Sequence, residues 1–157
     1  MNNQDLPKPD FVRNMRLISH TDQGGRPDGV QLMVDGFAHV GHMFSKGFSV
    51  IGARDPRNPM PVTYVAAHHA ILHGDTAYAA YAGRNVCFCP CSPCFRHSDQ
   101  YRRTEVAAFV PPKPKTLIDS RPGRPEVIQS CDVFVDAGGR VYANDNNGGL
   151  YILEFLK

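Results

Sequence analysis

Short apolar runs with alternating polar residues, separated by glycine-containing turns, dominate the chain. Residues 30–42, 68–81 and 131–145 share one pattern, in which an apolar run leads through a turn into a second apolar run. The turns are Asp35-Gly36, Gly74-Asp75 and Ala137-Gly138-Gly139. Glycine accepts the positive φ that tight hairpin turns require. The pattern therefore predicts three β-hairpins.

A third apolar run that begins with glycine follows the first and the third hairpin, at residues 47–51 and 149–153. The first copy continues through a proline-rich turn into a fourth run at 62–66, so its unit is predicted to be a four-stranded antiparallel meander. The second copy keeps a glycine in residues 82–87 but then enters a stretch of cysteines and prolines.

The spacing of the copies indicates a repeat. Gln31 and His69 occupy equivalent positions 38 residues apart, close to the roughly forty residues of a four-stranded propeller blade. Asp132 follows His69 by 63 residues, which leaves an excess. We predict an all-β fold, an incomplete β-propeller of about three antiparallel meander blades with an irregular Cys/Pro-rich connection. Its parts are an N-terminal lead-in (1–27), a first blade (28–66), a second, partial blade (67–95), a Pro/Arg-rich connection (96–129) and a closing blade (130–157).

Composition narrows the function classes. Thirteen prolines and fourteen glycines favour frequent turns over long helices, and a net charge of +2 does not indicate a nucleic-acid or membrane-surface partner. The first ten residues are polar, and no segment approaches membrane-spanning length, so we expect a soluble cytoplasmic protein. Four of the five cysteines lie within eight residues, which favours reduced thiols over a disulfide framework.

Several blocks resemble the LVIVD-repeat β-propeller proteins. DQGGRPDGV at 22–30, VGHMFS at 40–45 and RDPRNP at 54–59 resemble the opening blade, and AHHAILHGD at 67–75 resembles an internal repeat. RPGRPEVIQSCDVFVD at 121–136 and GGLYIL at 148–153 are similar to the closing blade. The resemblance implies propeller blades, but members of that family are much longer. We infer an internal deletion with its junction between Arg84 and Glu105.

Three blades cannot close a propeller ring, and each blade relies on neighbours to bury its two faces. The chain is therefore expected to stack as an open arc, to collapse into a β-sandwich, or to complete itself through its exposed blade faces. The partner would be another protein or further copies of the chain in a homo-oligomer.

One set of polar residues occupies equivalent repeat positions near the start of the first strand: Gln31, His69 and Asp132, with His68 beside them. In a propeller this strand lines the central channel, so these side chains could converge on a divalent metal or a polar ligand. The alternative is that they satisfy backbone groups and water at the channel mouth.

Two further groups carry candidate chemistry. His39 and His42 fall on opposite faces of their strand by period-two alternation, and His42 is expected to be a half-exposed residue that bonds to a neighbouring strand. Cys87, Cys89, Cys91 and Cys94, with His97 nearby, could bind a soft metal such as zinc or copper(I). Their spacing is atypical for a zinc site, so the alternative is an adventitious redox-sensitive patch or an out-of-frame junction.

The leading functional hypothesis is a non-enzymatic binding or scaffold module that uses its β-blade surfaces. The alternative is a remnant of a metal-dependent propeller hydrolase or oxidoreductase with a channel site of Gln31, His69 and Asp132. No catalytic residue is assigned, and a divalent metal is the one cofactor considered. The basic stretch between Arg96 and Arg124 has few aromatic residues for stacking, so it is predicted to be a solvated loop.

Overall fold

The computed structural model describes residues 6–66, 92–96, 104–119 and 121–156, and all regular structure in these ranges is β. The predicted all-β, antiparallel class is confirmed, because every strand pair there is antiparallel. The strands are β1 (Phe11–Arg13), β2 (Met15–Thr21), β3 (Gly29–Val34), β4 (Phe37–His42), β5 (Gly47–Gly52), β6 (Met60–Ala66), β7 (Ser92–Arg96), β8 (Thr104–Val110), β9 (Ser130–Val135), β10 (Arg140–Asp145) and β11 (Gly149–Phe155).

The strands form three open sheets. A meander sheet has the order β3-β4-β5-β6, a central sheet has the order β2-β11-β10-β9, and a small sheet has the order β1-β8-β7. None of the three closes on itself within the described ranges. In the same part of the chain, no helix has the length and apolarity needed to cross a bilayer.

The central sheet packs against both of the others. On β11, Leu150 and Ile152 belong to a core shared with the meander sheet, whereas Tyr151 and Leu153 belong to a core shared with Phe109 of the small sheet. Side chains of a strand alternate between the two faces of its sheet. A strand that is buried on both faces needs apolar residues at every position, which accounts for the uninterrupted apolar run of β11.

The two ends of the described chain meet in the central sheet. Strand β2 pairs with β11 over the whole of its length, and β1 leaves it to pair with β8. The change of sheet occurs at Asn14, which adopts a left-handed backbone with a φ of 51°. The lead-in 1–27, for which no strand was predicted, therefore contributes strands to two sheets.

The turns agree with the sequence pattern where they are described. Gly36 and Gly139 adopt positive φ values of 100° and 81° in the turns of the first and third predicted hairpins, β3–β4 and β9–β10. The first copy continues into β5 and β6 as the predicted four-stranded meander. The hairpin around Gly74-Asp75 lies outside the described residues. The connection 96–129, predicted to be irregular, contains β8.

Candidate functional site

A buried carboxylate, Asp28, fixes the turn between β4 and β5. Its Oδ2 accepts hydrogen bonds from the backbone N–H of Phe44 at 2.7 Å and of Ser45 at 2.6 Å. Its Oδ1 accepts one from the Ser45 hydroxyl at 2.6 Å and lies 3.1 Å from Nδ1 of His42. The Asp28 carbonyl also accepts a bond from the N–H of Met43. The loop before β3 and the next turn of the meander sheet are thereby joined.

The network extends to a serine in the order found in hydrolase triads. Nε2 of His42 lies 2.8 Å from the hydroxyl of Ser49, so carboxylate, imidazole and hydroxyl form one chain. The side chains of Asp28 and His42 are 0% exposed, and Ser49 is 1% exposed. A nucleophile must reach its substrate, and this hydroxyl faces the interior between two sheets. The arrangement is therefore structural, not catalytic.

The contacts also set the charge of this carboxylate. Burial on its own would raise the pKa of Asp28, but the bonds from His42, Ser45 and Phe44 together hold the pKa well below its ordinary value of 3.8. Asp28 is thus ionised at neutral pH. His42 is buried, so the expectation of a half-exposed histidine was wrong; its bond to Ser49 on the neighbouring strand agrees with the other half of that prediction.

A buried aspartate also fixes a turn of the central sheet. Asp145, at the end of β10, accepts the N–H groups of Asn147 and Gly148 in the following turn at 3.0 and 2.8 Å through Oδ1. Its Oδ2 accepts the N–H of Gln129, just before β9, at 2.8 Å. In both four-stranded sheets a buried carboxylate thus joins the turn after the second strand of the meander to the segment before the first strand.

The predicted channel position is partly described. Oδ2 of Asp132 on β9 accepts the N–H of Leu32 on β3 at 2.8 Å, and its Oδ1 accepts the N–H of Val133 at 2.9 Å. Burial raises the pKa of Asp132, and the two backbone bonds oppose that shift without cancelling it. Both carboxylate oxygens thus accept backbone N–H groups, and the bond from Leu32 joins two sheets. This is the arrangement expected if the residue serves to satisfy backbone groups.

Of the other residues in the predicted channel set, the structure describes Gln31 but neither His68 nor His69. Gln31 precedes Leu32 on β3, is half-buried, and lies opposite Gly41. His68 and His69 lie outside the described residues, so convergence with Asp132 stays a prediction. No group of three or more histidine, cysteine, aspartate or glutamate side chains within the described ranges is arranged to hold a metal ion.

The thiol cluster is also mostly outside the described residues. Cys87, Cys89 and Cys91 lie there, and so does His97; Cys94 belongs to β7. The remaining cysteine, Cys131, is exposed, and its thiol donates to the carbonyl oxygen of Gln129 at 3.2 Å. Partial burial of the sulfur, with the nearby carboxylates of Asp145 and Asp132, raises the pKa of Cys131 to about 11. This thiol is therefore protonated and weakly nucleophilic at neutral pH.

The face of the meander sheet that points away from the central sheet carries apolar side chains that are half-buried on β3, β4 and β5 and exposed on β6. The strand register places nine side chains there: Gln31, Met33, Phe37, His39, Phe48, Val50, Met60, Thr63 and Val65. None of these belongs to either hydrophobic core of the described residues. Along β6, Met60, Val62 and Val65 are 54%, 58% and 42% exposed. Contiguous apolar patches of this kind mark interaction sites.

The chain matches no protein-family model, no curated protein and no solved structure. A relation to the LVIVD-repeat proteins therefore stays a prediction.

Proposed function

We propose that this protein is a non-enzymatic assembly module whose outer meander-sheet face binds the same face of a second copy of the chain. The observation that carries the proposal is the apolar outer face of the meander sheet, on which Val50 is half-buried and Met60 and Val65 of β6 are exposed. Four strands about 4.8 Å apart and about 20 Å long give a face of roughly 400 Å² in plan. Because side chains protrude from the sheet, the accessible area of the face is larger than its area in plan. The accessible area of two such faces approaches the lower end of the about 1,200–2,000 Å² buried in stable interfaces.

The chemistry of the face suits a symmetric contact. None of the nine side chains that the register places there is a lysine, arginine, aspartate or glutamate. Charged groups of both signs contact one end of the face, where Arg54 lies over the ring of Phe37 and Asp35 contacts His39. Two copies of the face would therefore bring its apolar groups together, with no net charge from the groups at that end. A two-fold axis through the face is also the commonest symmetry of soluble homo-oligomers. Sheets that pack face to face bury this kind of surface.

We further propose that the meander and central sheets are blades of an incomplete β-propeller of the LVIVD-repeat type. Support comes from three features: each sheet has four antiparallel strands, their first strands β3 and β9 lie in contact, and both use a buried aspartate to fix the second turn. In the proposed propeller, the pairing of β2 with β11 would join the N-terminal strand to the last blade. A blade that lacks a neighbour leaves one face open, which is the face that the second copy would cover.

Light scattering coupled to size-exclusion chromatography tests the assembly. The full-length protein is expected to be a dimer at micromolar concentration, and Val50→Glu is expected to make it a monomer. Val65→Glu, on the edge strand, should have the same effect with less risk to folding. Val127→Glu is the matched control, because Val127 is equally exposed, at 44%, but lies in the loop before β9. This variant should stay dimeric.

Two results would reject the assembly proposal. One is a wild-type protein that is monomeric at every concentration. The other is a dimer that survives both substitutions on the meander face while circular dichroism shows the fold to be intact. A monomer that binds a different protein through Val50 would place a heterologous partner on the same face.

The enzyme alternative has no supporting contact among the described residues, because the Asp132 carboxylate is engaged by the N–H groups of Leu32 and Val133. Metal analysis of the purified protein distinguishes the two functions. Stoichiometric metal that is lost in His69→Ala would favour the remnant of a metal-dependent enzyme.

A further inference from the structure

A cleft of about 690 Å³ opens between the central sheet and the loop that joins β5 to β6. One wall is the first part of β2, from Arg16 to Ser19, and the opposite wall is formed by residues 55–57. The hydroxyl of Ser19 donates to the carbonyl oxygen of Pro56 at 2.5 Å, which fixes the loop against the strand. The walls are thus held in place before any ligand arrives.

One rim of this cleft is a sheet edge. Strand β2 is the outermost strand of the central sheet and pairs only with β11 in the part of the chain that the structure describes. In an antiparallel edge strand, alternate residues direct their backbone N–H and C=O groups away from the sheet. A bulge between the partners of Ile152 and Leu153, at Ile18, twists the edge locally. Such an edge can pair with an added extended strand.

The lining of the cleft includes three arginines, Arg16, Arg57 and Arg140, against two acidic residues, Asp55 and Glu154. Arg16 pairs with Glu154, and Arg140 pairs with Asp136 at 3.1 Å. The guanidinium of Arg57 has no hydrogen bond or ion pair within the described ranges. Each guanidinium carries five N–H donors, more than one carboxylate can accept. The lining therefore retains arginine donors for further carboxylates.

The lining also contains apolar surface. Leu6, Ile18 and Pro56 line the cleft together with the arginines. An extended peptide turns successive side chains to opposite sides, so alternating apolar and acidic residues would present one kind to each part of the cleft.

We propose that this cleft binds an extended peptide segment with carboxylate side chains, which adds to the outer edge of β2 as a fifth strand of the central sheet. Backbone hydrogen bonds to β2 supply the pairing, and the guanidinium of Arg57 receives a carboxylate of the peptide. The ligand is thus recognised by its extended backbone and its negative charge together. The β2 edge belongs to a different sheet from the apolar meander face, and Arg57 is not one of the side chains of that face, so the two binding events are separable.

Fluorescence anisotropy with a labelled hexapeptide of alternating valine and aspartate tests the site. The peptide should bind, and the same peptide with lysine in place of aspartate should not. Arg57→Ala should weaken binding about tenfold, which is the loss expected for one charge-assisted hydrogen bond. Arg124→Ala is the matched control, because Arg124 pairs with Asp119 and does not line the cleft. Its affinity should equal that of the wild type.

Two N-methylated peptides separate strand addition from simple charge attraction. Each carries methyl groups on alternate amides, one on the odd and one on the even positions. Because only alternate amides of an added strand face β2, one peptide should lose binding and the other should keep it. Equal binding of both would overturn strand addition. No binding of the unmodified acidic peptide at millimolar concentration, or unchanged affinity in folded Arg57→Ala, would overturn the site.

Discussion

Two aspartates in the part of the chain that the structure describes each contact a histidine, and their surroundings differ. Asp28 and His42 are completely buried, whereas Asp35 is 63% exposed and lies 3.2 Å from Nε2 of His39. Both histidines are on β4, three residues apart and therefore on opposite faces, as the sequence predicted. The same pair of residue types thus occurs once in the interior and once at the surface, which gives a matched comparison.

Asp28→Asn should reduce the free energy of unfolding by about 2–4 kcal/mol. The amide nitrogen cannot accept hydrogen bonds, so buried groups of His42 and Ser45 that contact the carboxylate lose their acceptor. Asp35→Asn should change the free energy of unfolding by no more than about 0.5 kcal/mol, as is usual at exposed sites. Urea denaturation followed by circular dichroism measures both. Equal losses in the two variants would show that the buried network is not a major stabilising contact.

The same carboxylate should govern stability in acid. The pKa of Asp28 is lowered in the folded protein, so its ionised form stabilises the fold above the ordinary pKa of 3.8. That contribution is lost as the pH falls from about 4 towards the lower pKa of the folded state. The free energy of unfolding of the wild type should therefore fall more steeply below pH 4 than that of Asp28→Asn. Parallel curves for the two proteins would contradict this assignment.

At the scale of strands, the sequence predicted the elements whose determinants are local. The meander β3-β4-β5-β6 and the hairpin β9–β10 follow from alternation and from glycines at positive φ, such as Gly36. Strand β2 was missed because Arg16, Ser19 and His20 interrupt its apolar pattern. Their partners are distant in sequence: Arg16 pairs with Glu154, and His20 contacts the carbonyl oxygen of Gly148 at 2.5 Å. No local pattern contains that information.

The β2–β11 junction can be tested at one glycine. Gly149 and Gly139 both have a φ of 81°, a conformation that side chains rarely adopt. A Cβ at Gly149 would overlap the backbone oxygen of Thr21 on β2, whereas a Cβ at Gly139 would meet nothing within 4 Å. Gly139→Ala should cost only about 1–2 kcal/mol of unfolding free energy, from the strained backbone. Gly149→Ala should cost clearly more in the same thermal or urea measurement.

The difference between these two variants isolates the steric part of the effect, because the backbone part is shared. If Gly149→Ala were no less stable than Gly139→Ala, the close approach of β2 to β11 would not be present in solution.

At the scale of the molecule, a site can be predicted from sequence only where the packing of distant segments can be predicted. The sequence analysis aligned Gln31 and Asp132 as equivalent positions of two separate repeats, and the structure brings their strands β3 and β9 into contact, with Asp132 bonded to the backbone of Leu32. The buried triad of Asp28, His42 and Ser49 was not foreseen. Its members are spread over twenty-two residues, and only the pairing of β4 with β5 and the path of the preceding loop bring them together.

The dependence of the whole fold on its N-terminal strands can be measured with two deletions. Removing residues 1–13 takes away β1, whose Phe11 is half exposed, and leaves the central sheet complete. Removing residues 1–21 also takes away β2, and with it the core contacts of Met15, Leu17 and Ile18. Burial of three such side chains contributes about 1.5–3 kcal/mol each, which together rivals the roughly 5–15 kcal/mol of net stability of a typical domain.

The shorter deletion should therefore unfold cooperatively in urea, whereas the longer one should show no cooperative transition and little amide dispersion in its NMR spectrum. The core of the central sheet is shared by β2 and β11, so a chain that begins after β2 leaves one edge of β11 unpaired and the side chain of Leu153 less covered. Equal urea midpoints for the two deletions would mean that β9, β10 and β11 form a stable sheet without the N-terminal strand.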